Sequence, residues 1–134
     1  MQGELPRKAA RPVRPVRHGV HFWLIDGAGR VLLRRRPPTG LLGGMTELPG
    51  TVWRGERWSA AEISQAAPMV AEWQEIGEVR HGLTHFELHL RVYAARVEAI
   101  VGDGFLRAVD ALEAEALPSV MRKCVAFGVR WPLA

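Results

Sequence analysis

The chain has 134 residues, 48% of them hydrophobic and 24% charged, which suits one folded domain with a single core and excludes both two enzyme domains and wholesale disorder. Its one cysteine, Cys124, rules out an internal disulfide, a four-thiolate zinc site or an iron–sulfur cluster in these residues, and points to a reducing compartment. The whole net charge of +4 sits in residues 1–17, where Arg7, Lys8, Arg11, Arg14 and Arg17 are opposed by Glu4 alone.

That basic arm carries Pro6, Pro12 and Pro15. Proline lacks the N–H and clashes with the preceding turn, so residues 1–18 read as an extended linker rather than a helix. The charge suits a polyanion as partner, although arginines that only maintain solubility would look the same. No signal-peptide apolar run occurs near the start, and no stretch approaches the ~20 apolar residues of a membrane span.

Gly19 to Ile25 and Arg30 to Arg36 read as strands around the turn Asp26-Gly27-Ala28-Gly29, which has hairpin chemistry. Pro37 to Met45 holds three glycines and two prolines and should be an irregular loop. Glu47 to Trp53 reads as a short strand broken by Pro49-Gly50. Ser59-Ala60-Ala61-Glu62 is a capping box, opening a helix that stops near Pro68.

A strand is expected from Trp73 to Val79, then a turn at His81-Gly82-Leu83-Thr84, then a strand from Thr84 to Val97. In that last strand Phe86, Leu88, Leu90 and Val92 fall on one face and His85, Glu87, His89 and Arg91 on the other, the period of a strand buried on one side. A short strand near Phe105 to Val109 precedes a cap-like Asp110-Ala111-Leu112-Glu113. A final helix begins near Pro118, buries Val120, Met121, Cys124 and Val125, and ends at Gly128. These elements predict an α+β fold with a mixed sheet and two or three short helices.

His85, Glu87 and His89 alternate onto one strand face, yet polar residues are what a solvent-facing strand carries, so no metal is assigned. A pyrophosphatase signature of the Nudix type is half present. Gly50 and Glu56 match its opening, but its Arg-Glu pair falls on Ser64-Gln65 and its Glu-Glu pair on Pro68-Met69, so the carboxylates that would hold Mg²⁺ are missing. No role is assigned to Arg34, Arg35 or Arg36, and the five tryptophans read as packing.

Arg34 to Gly50, RRRPPTGLLGGMTELPG, closely resembles the opening of the C-terminal domain of A/G-specific adenine DNA glycosylases of the MutY type, RPPxGLLGGMWELPG. His81 to Phe86 resembles that domain's H-x-F-[ST]-H loop, and Ala116 to Lys123 its closing helix. The resemblance implies a Nudix-like α/β/α sandwich over residues 19–134, preceded by the interdomain linker 1–18, that recognises 8-oxoguanine opposite adenine in duplex DNA. It implies that a helical N-terminal domain with a [4Fe-4S] cluster, outside these residues, excises the adenine, while this chain holds no cofactor and no catalytic residue. A cytoplasmic, nucleoid-associated protein of base excision repair is the expectation.

Oxidation converts guanine N7 from an acceptor to an N–H donor and adds a carbonyl at C8, so a reader needs a group that both donates and accepts. The Thr84 hydroxyl does both. His85 and His81 match the family's loop histidines, Leu83 stands where the family has Phe and would press an apolar wedge toward the base stack, and Arg11, Arg14 and Arg17 are the phosphate candidates. Leu for Phe removes stacking capacity, and Thr46 replaces the family's Trp. Two alternatives stay open: a divergent hydrolase of oxidised nucleoside triphosphates using Glu56, Glu62 and Glu72, and a protein-interaction module.

Overall fold

The computed structural model describes residues 14–131. Strand β1 (Val16–Ile25) is buried along most of its length, as only a central strand covered on both faces can be. β2 (Arg30–Arg35) returns from it antiparallel. The turn between them is closed by the Asp26 carboxylate, which accepts from the Ala28 and Arg30 amides at 3.0 and 2.8 Å. β3 (Thr46–Glu47), helix α1 (Ala60–Ala66), β4 (Gln74–Gly82), β5 (Glu87–Arg96), β6 (Phe105–Ala108), a 3₁₀ turn (Val109–Ala114) and helix α2 (Ser119–Arg130) follow. The sheet runs β3-β2-β1-β5-β4, with β6 also on β2. β1 and β5 are parallel and the other neighbours antiparallel, so the sheet is mixed, as the sequence implies.

Two-residue alternation divides β1 between two layers. Val20, Phe22 and Leu24 face the α1 side, with Ile63, Trp58 and Trp73. Trp23 and Ile25 face the α2 side, where Leu88, Leu90, Val92 and Ala94 of β5 meet Val120, Met121, Cys124 and Val125 of α2. The α+β sandwich and the apolar face of β5 are therefore as expected. Burial pushes the Cys124 thiol up to about 12, which makes it a small apolar filler rather than a nucleophile. Among the described residues no helix is long and apolar enough to cross a membrane.

Several boundaries differ from the sequence reading. β1 opens at Val16, not Gly19, because Val16, Arg17 and His18 pair with Glu87, Leu88 and His89. β3 has two residues; beyond Pro49 the chain crosses back to β1, where Gly50 bridges His21 and Arg54 bridges His18. A Cβ on Gly50 would collide with the His21 ring. β4 extends to Gly82, and β5 begins only at Glu87 because the Leu83 amide bonds the Phe86 carbonyl at 2.9 Å and closes the bend. Asp110 lies inside the first 3₁₀ turn rather than capping it. The capping box at Ser59 forms as expected.

Helix α2 runs two residues past Gly128, which is a site of close approach and not a terminator. A Cβ there would lie within the Trp23 ring, and Trp23 is fully buried. Helix propensity favours Gly128→Ala by about 1 kcal/mol, whereas forcing a packed indole to move costs about 1–3 kcal/mol or more. Steric overlap wins, so urea titration of Gly128→Ala should show a net loss of stability; a variant as stable as the parent would contradict this packing.

Candidate nucleic-acid interface

The bend between β4 and β5 stands at one end of the sheet with Thr84 and His85 exposed. Leu83 and Phe86 flank it, half-buried and packed against the α2-side core, so only part of Leu83 is free to meet a partner. His81, at the end of β4, accepts at Nδ1 from the Lys123 ammonium of α2 at 3.0 Å. An ammonium has nothing but donors, which leaves the ring proton on Nε2. Burial, then the Lys123 charge, holds His81 below the ordinary histidine range.

The predicted phosphate contacts divide three ways. Arg11 lies outside the described residues. Arg14 donates from Nη1 to the Leu83 carbonyl at 2.6 Å, and Arg17 lies in β1 with its guanidinium 4.4 Å from the centre of the Phe86 ring. Both therefore reach the same bend. The periodic pattern of β5 hides this, because the contacts join residues about seventy positions apart.

At the opposite edge of the sheet, around β2, β3 and the middle of β1, lies a polar cluster that sequence reasoning left without a role. Glu47 is 1% exposed and bonds Arg34 Nε at 2.7 Å and Arg36 Nη1 at 2.8 Å. A lone carboxylate there would be very costly; two guanidiniums with matched geometry offset that cost. Arg36 also stacks 4.4 Å above the Trp53 ring, and Trp53 donates its indole N–H to His21 Nε2 at 3.2 Å. An indole only donates, so the His21 proton sits on Nδ1, which donates to the Leu48 carbonyl at 2.9 Å. Arg54 stacks 3.7 Å from Trp58. Trp53 thus carries an arginine from β2's end and Trp58 one four residues before it, in addition to packing against the cores. Thr46 is fully buried, and its hydroxyl finds no partner among the described residues.

The acidic candidates do not assemble. Glu62 Oε1 accepts from Arg54 Nη2 at 2.7 Å and from the Ser59 amide at 2.9 Å; those bonds, Arg54 first, hold its carboxyl at about 2. It is a helix cap. Glu56 and Glu72 are exposed, Glu87 pairs with His89 at 3.1 Å, and among the described residues no three His, Cys, Asp or Glu side chains group so as to hold a metal ion. The Mg²⁺ site that the half-present pyrophosphatase signature would call for does not fit the described residues.

The NUDIX domain family matches residues 20–127. The chain belongs to that family. Human "Adenine DNA glycosylase" is 33% identical over 103 residues, which is 69% of this chain and 19% of that protein, so the chain spans about a fifth of its length. Among solved structures, the C-terminal domain of mouse MUTYH, crystallised in a complex with human PCNA, superposes with a TM-score of 0.66 at 22% identity, over 83% of this chain and 86% of that one. The MutT protein of Methanosarcina mazei Go1 superposes at 0.65 and 19% identity, over 87% and 95%. At those identities the likeness is one of fold, and it agrees with the NUDIX sandwich. In this NUDIX domain the helix after Gly50 carries Glu62 as its one acid, while Arg14 and Arg17 contact the β4–β5 bend.

Burial pushes His21 below the ordinary histidine range, against a smaller opposing pull from Glu47. An unfolded histidine takes up its proton near pH 6.5, about where the folded ring still refuses it. Stability is therefore full above about pH 6.5 and falls as pH drops through it, by up to about 1.4 kcal/mol per pH unit for each such histidine. His18 and His81, also lowered but much less buried, add a smaller loss of the same sign. Urea unfolding at about pH 7.5 and 5.5 measures the loss, and the His21 Cε1–H resonance should titrate below the ordinary histidine range. Ordinary titration of that resonance would exclude the assigned bonds.

Proposed function

We propose that this chain is the lesion-reading domain of an adenine DNA glycosylase, binding duplex DNA around 8-oxoguanine opposite adenine. One observation carries the reading: Thr84 and His85 are presented to solvent on a bend supported by Arg14 and Arg17, while among the described residues no carboxylate set groups to hold a metal for phosphate cleavage. The similarity to a human protein named for adenine DNA glycosylase activity supports it.

In this reading Thr84 Oγ accepts from the lesion's N7–H or donates to its C8 carbonyl. His85 donates to the lesion's polar edge or to a phosphate, and the exposed part of Leu83 presses on the neighbouring base step. The basic arm, Arg11 included, supplies sequence-independent attraction to the backbone. Excision of the adenine falls to a catalytic region with a [4Fe-4S] cluster outside these 134 residues, by flipping the base out of the stack. A cytoplasmic location on the nucleoid fits that work.

Fluorescence anisotropy at fixed salt should show tighter binding of an 8-oxoguanine:A duplex than of a G:A duplex. Thr84→Ala should remove about 1–3 kcal/mol of that preference, the size of one specific base contact. Deleting residues 1–13 should weaken both duplexes alike and flatten the salt slope. Equal affinities in the parent chain would refute the reading. So would pyrophosphate release from 8-oxo-dGTP and Mg²⁺ that Glu56→Gln abolishes.

A further inference from the structure

The two residues assigned to lesion reading occupy a bend whose only internal backbone tie among the described residues is the Leu83 amide on the Phe86 carbonyl. A short bend held by one bond samples many conformations, and ordering it on DNA would cost affinity. Its flanks, however, are fixed from outside by three residues where the basic arm enters β1. Arg14 bonds the Leu83 carbonyl, the Pro15 carbonyl accepts from the Glu87 amide at 2.8 Å, and Arg17 covers Phe86. The side chain of Arg14 passes directly over Gly82, where an added Cβ would meet Nη2 at 3.2 Å, so the missing side chain leaves the guanidinium its seat.

We infer that Arg14 is a positioning residue: its guanidinium pins the Leu83 carbonyl and so presets the Thr84–His85 bend for the lesion, rather than serving chiefly as a phosphate contact. The inference rests on the lesion-reading proposal above. A charged donor on a carbonyl is stronger than a neutral one, and Arg14 is exposed, so its removal should loosen the bend without unfolding the domain. The geometry also links the arm to the bend. Whatever draws residues 14–17 toward a DNA backbone acts on the same atoms that hold the reader.

The test uses the whole chain and two readouts. In Arg14→Ala the Leu83 amide should exchange with solvent about tenfold faster, as for loss of one charge-assisted tether, and the preference for 8-oxoguanine:A over G:A should fall about tenfold. The thermal midpoint should hold. Arg14→Lys, which keeps the charge but not the planar fork, should restore general DNA affinity more fully than the preference. Equal weakening of both duplexes with unchanged Leu83 exchange would make Arg14 a plain phosphate contact and overturn the inference, as would faster exchange with the preference intact. A parent chain without any preference sinks the lesion-reading proposal itself, a different result from a parent preference that Arg14→Ala leaves untouched.

Discussion

The parallel pairing of β1 with β5 is the constraint on which the rest depends. Parallel neighbours cannot be joined by a tight turn, so β2, β3, α1 and β4 all belong to one long crossover between them. Because the two strands start side by side, Val16 against Glu87, whatever precedes β1 must arrive beside whatever precedes β5. What precedes β1 is the basic arm, and what precedes β5 is the Thr84–His85 bend. Their meeting is a consequence of topology before any side chain is considered, and Arg14 and Arg17 exploit it.

The opposite edge of the sheet, at β2 and β3, is held by charge. Glu47 draws Arg34 and Arg36 into one cluster, Arg36 brings Trp53 with it, and Trp53 fixes His21 in a single tautomer. Each bond in that series removes a freedom from the next group, and each partner would be costly if left alone in the interior. The cluster uses an acid, two bases and a histidine for architecture. The Glu62 carboxylate is likewise committed, to the Ser59 amide of the helix cap and to Arg54. The charged groups of this NUDIX domain thus hold one another, and a shared fold does not by itself fix what a domain does.

Much of this was legible in the sequence, for identifiable reasons. The alternation of β5, the capping box at Ser59 and the apolar face of α2 are local patterns, and local patterns survive folding. Boundaries were misplaced where a long-range contact decides them: β1 begins early because Glu87 is available to pair, and α2 continues through Gly128 because the glycine answers to Trp23 across the core. The exposed position of Thr84 and His85 follows from a bend that its composition announces. Arg14 on Leu83, Arg36 on Trp53 and Lys123 on His81 could not be read in advance, since nothing in a period of two or of 3.6 residues relates positions so far apart.

The proposed reading also sets the relative sizes of the two kinds of contact. Phosphate attraction through a +4 arm grows with every charge engaged and falls steeply with salt, whereas a hydroxyl and an imidazole at one base edge contribute about 1–3 kcal/mol of discrimination regardless of it. Affinity from the arm alone would hold the domain equally well on undamaged DNA. Discrimination from the bend alone would be too weak to find a rare lesion. In that reading, a reader at the foot of the arm resolves this, because the non-specific contacts that would keep the domain on a duplex would also keep the two reading residues within reach of each purine.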